Sequence, residues 1–465
     1  MSSPSRRLPS LIRRLKSTGD LLRLQSLITK TPREDLDCRS LAEFVSLSAR
    51  FVSVNHARSF FDRLPSPVPT RVWNSMIRVY ADPGRDASES VRVFAELVRT
   101  GAGPDKFTYP FVLKACARSA MVGEGETAFG SAVKLGFGSD SYVVNTLVSM
   151  YAACGEIGCA RRAFEEMGVR NVVSWTAMIA GYVSGERSPE ALTLFQQMIH
   201  EKVKPNSVTL VSLLSACARL GIPQTGKSIH SYAIKNPINL DVALCTALIT
   251  MYAKCSHIDK AFHVFTLMES KNLQAWTIMI TAFADHGRGM DAIDLFTKME
   301  ASSLRPDSLA FSSILSACGR LGLVEQGQRY FDRMVSVYGI SPTVEHYGCI
   351  VDMFGRAGMV EAAYRVIKNM PFEPNPVILR SFLGACRKSH DKQFMIDEDL
   401  RRLLLELEPE LGANYVAVAN ASAISDCWDD VVRIRRFMLQ KGLKKVPGCS
   451  WVEGNNGREN VGCLH

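Results

Sequence analysis

The sequence predicts an all-α fold, a right-handed α-solenoid superhelix of stacked helical hairpins, on three observations. First, Cys116, Cys217 and Cys318 each follow an alanine and stand 101 residues apart. The same offset carries Trp175 to Trp276, Phe94 to Phe195 and Phe296, Pro104 to Pro205 and Pro306, Met150 to Met251, and Cys154 to Cys255. Periodicity of this kind marks a repeat architecture. Second, apolar residues within a block recur at i, i+3, i+4 and i+7 in paired short stretches broken by Gly or Ser turns, which is helical spacing. Third, the block from Val172 divides into units of 35, 35 and 31 residues, and the blocks on either side repeat this with one added residue in some units. A lone hairpin of this size cannot hide its apolar stripe, so neighbours must stack around one continuous core.

The elements follow in order. Residues 1–37 are a basic N-terminal segment merging into a degenerate repeat: Arg6, Arg7, Arg13, Arg14 and Lys16 come before any acid, and Leu8, Leu11, Ile12 and Leu15 share one helical face. This reads as an organellar transit peptide; the alternative is a further worn repeat, because Leu21 to Lys30 continues in the style of the array. Arginine richness favours a mitochondrion, with a chloroplast as the alternative. A degenerate unit covers about 38 to 69. Thr70 to Asp105, Lys106 to Asp140 and Ser141 to Asn171 form the first complete triplet. Val172 to Asn206, Ser207 to Asp241 and Val242 to Asn272 form the second, and Leu273 to Asp307, Ser308 to Thr343 and Val344 to Asn375 the third, so that 38–375 is one array.

Inside the unit that opens at Val172, Trp175, Met178, Ile179 and Tyr182 make one stripe, and Ala191, Leu194, Phe195 and Met198 a second. Gly185 to Pro189 breaks them, with Ser188 expected as N-cap and Pro189 at the first helical position, where its missing N–H costs nothing. Trp276, Met279 and Ile280, then Ala292, Leu295, Phe296 and Met299, repeat the design. Residues 376–453 form a closing region, and 454–465 a short tail.

Composition bounds the function. Apolar residues make up 47% of the 465 and charged residues 22%, which excludes a disordered or collagen-like chain. No run of about 18 apolar residues and no secretory core occur, so neither a membrane partner nor export is expected. Thirteen cysteines, an odd and unclustered set, read as reduced core residues. The net charge is +9, of which residues 1–37 contribute eight basic and four acidic groups; the remainder keeps +5, a mild invitation to polyanions.

Motifs for chemistry are weak. Gly221 to Ser228 satisfies the P-loop pattern, but a phosphate-cradling loop follows a buried strand, whereas SLLSACARL before it has helical spacing. Moreover, Gly226 recurs as Gly125 and Gly327, while Lys227 becomes Glu126 and Gln328. The octapeptide is therefore read as a turn between helices. Zinc-dependent base deamination needs H-x-E and P-C-x-x-C, and neither is present. The nine scattered histidines give hydrolytic catalysis no positive support. No enzyme activity, cofactor or metal is expected.

The informative polar residues stand at the fifth place of the units: Asn74, Asn145, Thr176, Thr246 and Thr277. Asn and Thr both donate and accept, so one per repeat along a face can address successive base edges of a single strand. The plain alternative is surface polarity or helix capping. In the middle units Pro110, Val211 and Ser312 take this place, and only the serine hydrogen-bonds through its side chain.

The 35/35/31 alternation fits neither tetratricopeptide nor HEAT-like repeats. It resembles the plant pentatricopeptide repeat (PPR) family, in the subclass whose P, L and S motifs alternate. The carriers are VVSWTAMIAGY, EALTLFQQM and KPN in the P unit from Val172, SVTLVSLLSACARLG and GKSIHSYAIK in the next L unit, and YVVNTLVSMYAACGEIGCARRAFEEM in an S unit. Residues 376–453 resemble the family's E region through FLGACR, LELEP at Leu405 to Pro409, NYV at Asn414 to Val416 and KKVPGCSWVE at Lys444 to Glu453. Leu379 and Ser422 stand where that region usually has Trp and Tyr, and no terminal deaminase domain precedes His465.

The resemblance implies that the fifth residue reads a base together with the last residue of its unit: Asn74 with Asp105, Asn145 with Asn171, Thr176 with Asn206, Thr246 with Asn272, and Thr277 with Asp307. In the family's code these favour U, a pyrimidine, A, A and G from the RNA 5′ end, and the final S unit, with Gly348 and Asn375, aligns four nucleotides before an edited cytidine. The implied function is sequence-specific binding of single-stranded organellar RNA for C-to-U editing, with a deaminase-bearing protein and accessory editing factors recruited in trans through the E region. A factor for transcript splicing or stability is the second reading, and a helical scaffold for protein partners the third.

Overall fold

The computed structural model describes residues 12, 18–30, 37–236, 238–302, 304–388, 398–424, 426–444, 448–454 and 457–464. Arg6, Arg7, Arg13, Arg14 and Lys16 lie outside them, whereas Thr18–Lys30 is a helix whose Leu21, Leu24 and Ile28 are buried, as a worn repeat requires. The chain divides into two compact units, Met1–Ala247 and Leu248–His465.

In the first unit, hairpins open with the helices Cys38–Phe51, Thr70–Ala81, Thr108–Arg118, Ser141–Ala153, Val172–Ser184 and Ser207–Leu220, each of which packs on the next. Their second helices, from Val54–Asp62 to Pro223–Lys235, pack on the hairpin partner, and each but the last also packs on the following first helix. The second unit repeats this with first helices Leu273–Asp285, Ser308–Leu321, Val344–Arg356, Pro376–Lys388 and Gly412–Ile424. No helix among the described residues is long and apolar enough to cross a membrane.

The repeat period has visible physical causes. Trp73, Trp175 and Trp276 each set an edge on a phenylalanine of the preceding second helix, Phe61, Phe164 and Phe265, at centroid distances of 4.6, 5.0 and 5.0 Å. Cations sit over the same rings, Arg58 on Phe61, Arg170 on Phe164 and Lys271 on Phe265. Arg118, Arg219 and Arg320, again 101 apart, each donate to carbonyls that close the first helix one unit back: Ala81 and Asp82, Val183, and Ala284. A basic side chain on those orphan carbonyls satisfies them and opposes the negative end of the helix dipole.

Two boundaries differ from expectation. Arg187 occupies the N-cap position of the helix Ser188–His200 without a side-chain cap, so Ser188 is not the N-cap; it is a helical residue, 2% exposed, and Pro189 still falls in the first turn. Beyond the helices the backbone forms an antiparallel hairpin, Gly448–Gly454 with Gly457–Leu464, across the end of the closing region and the tail, where no strand was expected. KKVPGCSWVE lacks clean alternation, so periodicity does not announce that strand.

Burial silences the repeat cysteines. Cys116, Cys217 and Cys318 are fully buried, and desolvation pushes the Cys116 thiol up to about 12 and that of Cys318 to about 11. At pH 8 the native protein should therefore resist iodoacetamide at both, while partly exposed Cys159 alkylates. Peptide mass spectrometry reads this directly; equal labelling of all three would refute the packing.

Candidate nucleic-acid interface

Every complete unit ends on a residue that caps the helix after it. Asp105 Oδ1 accepts from the Phe107 and Thr108 amides, Asn171 Oδ1 from Val173 and Ser174, Asn206 Oδ1 from Thr209, Asn272 Oδ1 from Ala275 and Asp307 Oδ1 from Ala310, at 2.9 to 3.2 Å. Asp and Asn are the strongest N-caps, so capping alone accounts for the residue type. Asp140 and Asp241, which close L units, cap in the same way.

Capping also orients these side chains. In these five P and S units the cap consumes Oδ1. The other terminal atom, Oδ2 of Asp105 and Asp307 or Nδ2 of Asn171, Asn206 and Asn272, has no partner among the described residues. The two aspartates thus offer a fixed acceptor and the three asparagines a fixed donor.

The fifth residues are more buried than a surface polarity would be: Asn74, Asn145, Thr176, Thr246 and Thr277 are 2 to 9% exposed. Asn74 Nδ2 donates to Asp105 Oδ1 at 2.9 Å, and Thr277 Oγ1 to Asp307 Oδ1 at 3.3 Å. Thr176 reaches Asn206 through Thr209, whose hydroxyl lies 2.7 Å from Thr176 Oγ1 and donates to Asn206 Oδ1 at 2.9 Å. These three implied pairs are brought together. No hydrogen bond joins Asn145 to Asn171 among the described residues, and Asn145 Oδ1 is a buried acceptor without a partner. Thr246 donates to the Val242 carbonyl; it ends in the first unit and Asn272 lies in the second.

Sequence reasoning missed two features. The second residue is Arg71, Gln274 or Glu345 in three units, whereas in five others it is apolar and exposed: Phe107, Tyr142, Val173, Val208 and Leu309. Each is out of phase with the buried stripe of its helix, which is the signal that was available. Around Asn74 and Asp105 there is also an open cleft of about 710 Å³ whose rim holds Arg39, Arg71 and Arg78 with Phe107 and Phe111. These arginines make no ion pair among the described residues. Unpaired guanidinium groups beside exposed rings suit phosphates and stacked bases respectively.

The P-loop look-alike is a turn. Gly221, with φ +64°, ends the helix Ser207–Leu220 in the left-handed region that favours glycine, and Pro223 opens Pro223–Lys235, so no strand precedes it. Gly226 is buried inside the second helix. At the corresponding Gly125 an added Cβ would meet Met150 Cε at 2.7 Å, which explains the recurring glycine. Lys227→Ala should leave both RNA affinity and ATP binding unchanged, measured by titration with labelled nucleotide. Specific ATP binding lost in the variant would overturn this. Among the described residues no three His, Cys, Asp or Glu side chains are grouped to hold a metal.

In the closing region the motif residues lock to one another. Asn414, fully buried, donates to Glu408 at 2.8 Å, Arg380 pairs with the same carboxylate, and the Tyr415 hydroxyl donates to the Pro409 carbonyl at 2.9 Å. The Asn414 hydrogen bond, then Arg380, hold the Glu408 carboxyl below the usual carboxylate range. A depressed carboxylate stabilises the fold above its unfolded pKa, and this contribution fades as pH falls through the folded value.

Comparison with known proteins matches the geometry. Models of the PPR repeat family match residues 170–219 and 271–320, and of the single PPR repeat 142–172, 243–273, 309–337 and 345–373. An E motif model matches 397–453. A chloroplastic pentatricopeptide repeat-containing protein of Arabidopsis thaliana is 37% identical over 447 residues, 96% of this chain and 74% of its own length. A second A. thaliana pentatricopeptide repeat-containing protein is 37% identical over 86% of this chain and 66% of its own length, and a chloroplastic/mitochondrial one 36% over 92% and 69%. Among solved structures, the pentatricopeptide repeat protein PPR10 in complex with an 18-nt psaJ RNA element superposes with a TM-score of 0.56 at 16% identity, over 95% of this chain and 75% of that one.

Proposed function

Because the chain belongs to the pentatricopeptide repeat family, we propose that it is a sequence-specific single-stranded RNA-binding protein of an organelle, recognising sites of C-to-U editing and recruiting the deaminase in trans. The observation that carries this reading is the pinned cap: in Asp105, Asn171, Asn206, Asn272 and Asp307 one terminal atom is held by the helix, and the other makes no hydrogen bond among the described residues.

The chemistry of base edges then follows. An outward carboxylate oxygen accepts from the ring N–H that G and U carry on their Watson–Crick edges, and an outward amide NH₂ donates to the bare ring nitrogen of A and C. This is the division the family code draws between Asp105 or Asp307 and Asn171, Asn206 or Asn272. The exposed second residues supply stacking surfaces, worth about 1–3 kcal/mol per base where they are aromatic. In this reading the chain performs no chemistry of its own, and its E motif faces the protein that does. Organellar names among the A. thaliana relatives support the compartment, and the arginine-rich N-terminus favours a mitochondrion.

Base edges are accessible only in an unpaired strand, so binding should prefer single strands to a duplex of one sequence. Its salt dependence should be shallow, about −0.7 in the log–log slope for each phosphate neutralised. Equal affinity for duplex and single strand would refute the interface. The functional test is transcript sequencing in a loss-of-function line. Loss of conversion at one or a few cytidines supports editing; intact conversion with altered introns or transcript ends would favour a factor for splicing or stability.

A further inference from the structure

The closing hairpins hold a buried cation that the RNA interface does not use. Arg401, on the helix Glu398–Leu407, is 6% exposed. Among the described residues its guanidinium makes one hydrogen bond, from Nη1 to Ser422 Oγ at 2.8 Å, and Nε has no partner. No carboxylate pairs with it among the described residues, although the nearby Arg402 and Arg433 are matched by Glu406 and Asp430. A guanidinium cannot shed its proton in a protein, so Arg401 keeps a buried charge that no carboxylate among the described residues compensates.

Arg401 lines a cleft of about 590 Å³ whose walls include Leu405, Tyr415, Val418, Ile434 and Phe437. The helix Trp428–Gln440, which forms one wall, has no buried residue, and Phe437 is 43% exposed while stacked on Tyr415 at 5.7 Å. The combination is a largely apolar cleft lined by one cation that is unpaired among the described residues. A polyphosphate chain, charged along its whole length, would desolvate against these apolar walls. A polypeptide offering a single carboxylate beside an apolar side chain fits both features.

We propose that this cleft seats an acidic–apolar segment of a protein partner, with an Asp or Glu side chain bonded to Arg401 and its apolar neighbour against Tyr415 and Phe437. The proposal rests on the reading of the E motif as partner-facing and names the chemistry of that contact. A bound carboxylate would supply the two parallel N–H···O bonds that a guanidinium is built to make.

The test uses the full chain and a random peptide library of about a dozen residues displayed on phage, followed by fluorescence anisotropy with the selected peptides. Selection should enrich an acidic residue next to an aliphatic or aromatic one. Changing that acid to its amide, or Arg401→Met in the protein, should weaken binding at least about tenfold, and single-stranded RNA should not compete. Arg401→Met should keep RNA affinity and should not lower the melting temperature, because it removes an unpaired buried charge. Peptides without acids, affinity unchanged by Arg401→Met, competition by RNA, or a marked fall in melting temperature would each overturn the proposal. Peptide binding is read on the isolated protein, so its loss is separable from failure of the editing reading, which transcript sequencing decides.

Discussion

Trp175→Ala is expected to destabilise the first unit by about 3–5 kcal/mol, the range for deleting a large buried aromatic. Trp175 is 1% exposed, and its indole stands at 78° to the Phe164 ring, so the substitution removes both the buried area and an edge-to-face contact. Trp175→Phe should cost much less. The indole Nε1 is buried without a hydrogen-bond partner, and phenylalanine removes that unsatisfied donor while filling most of the volume. In a stacked-hairpin chain the loss is felt by nearest neighbours. Hydrogen exchange should therefore accelerate across Ile157–Glu165 and Val172–Ser184 while helices near Val344–Arg356 keep their protection. Urea unfolding of the two variants measures the difference, and an alanine variant that unfolds at the wild-type midpoint would show that the clasp does not hold the units together.

The repeat was legible because its causes are local and recur. Helices begin at Thr70, Ser141, Val172, Ser207, Val242, Leu273, Ser308 and Val344, the residues at which the units were read to open, and the residue before each is an Asx or Thr, except Pro69 before Thr70, which makes no side-chain cap. The Lys106 unit departs, its helix beginning at Thr108, because Asp105 caps through a short turn. The Trp–Phe clasp was half legible: Trp175 and Trp276 announced the offset, but their partners lie in the preceding unit, and pairing across units is not a property of one window. The interface was legible as a set of residue types and not as a geometry. Nothing in the spacing says that the cap pins Oδ1, that Asn145 is left with an unmet acceptor, or that Arg39, Arg71 and Arg78 converge on one cleft, since these follow from stacking. The terminal hairpin was missed, because a strand shorter than a helix and without alternation leaves little periodic signal.

Asp307→Asn is the substitution that should rewrite what the chain reads. Asp307 Oδ1 takes the Ala310 amide at 2.9 Å and the Thr277 hydroxyl at 3.3 Å, and an asparagine keeps that oxygen and both contacts. Asn and Asp cap helices about equally well, so the fold should be unaffected. The outward atom changes from an acceptor to a donor. In the register that the family implies, this unit stands over the nucleotide six before the edited cytidine, where Thr277 with Asp307 favours G. An outward acceptor meets the N1–H of G; an outward donor meets the bare N1 of A, so the preference at that nucleotide should move from G toward A. A well-placed base contact is worth about 1–3 kcal/mol, which corresponds to roughly a 5- to 150-fold change in relative affinity. Titration at fixed salt with RNAs that differ only at that nucleotide measures it. The other contacts should keep their preferences in the same experiment: A at seven before for Thr246 with Asn272, A at nine before for Thr176 with Asn206, a pyrimidine at ten before for Asn145 with Asn171, and U at twelve before for Asn74 with Asp105. If the variant weakens every sequence alike, Asp307 serves only the helix it caps, and the pinned-cap account of base choice fails with it.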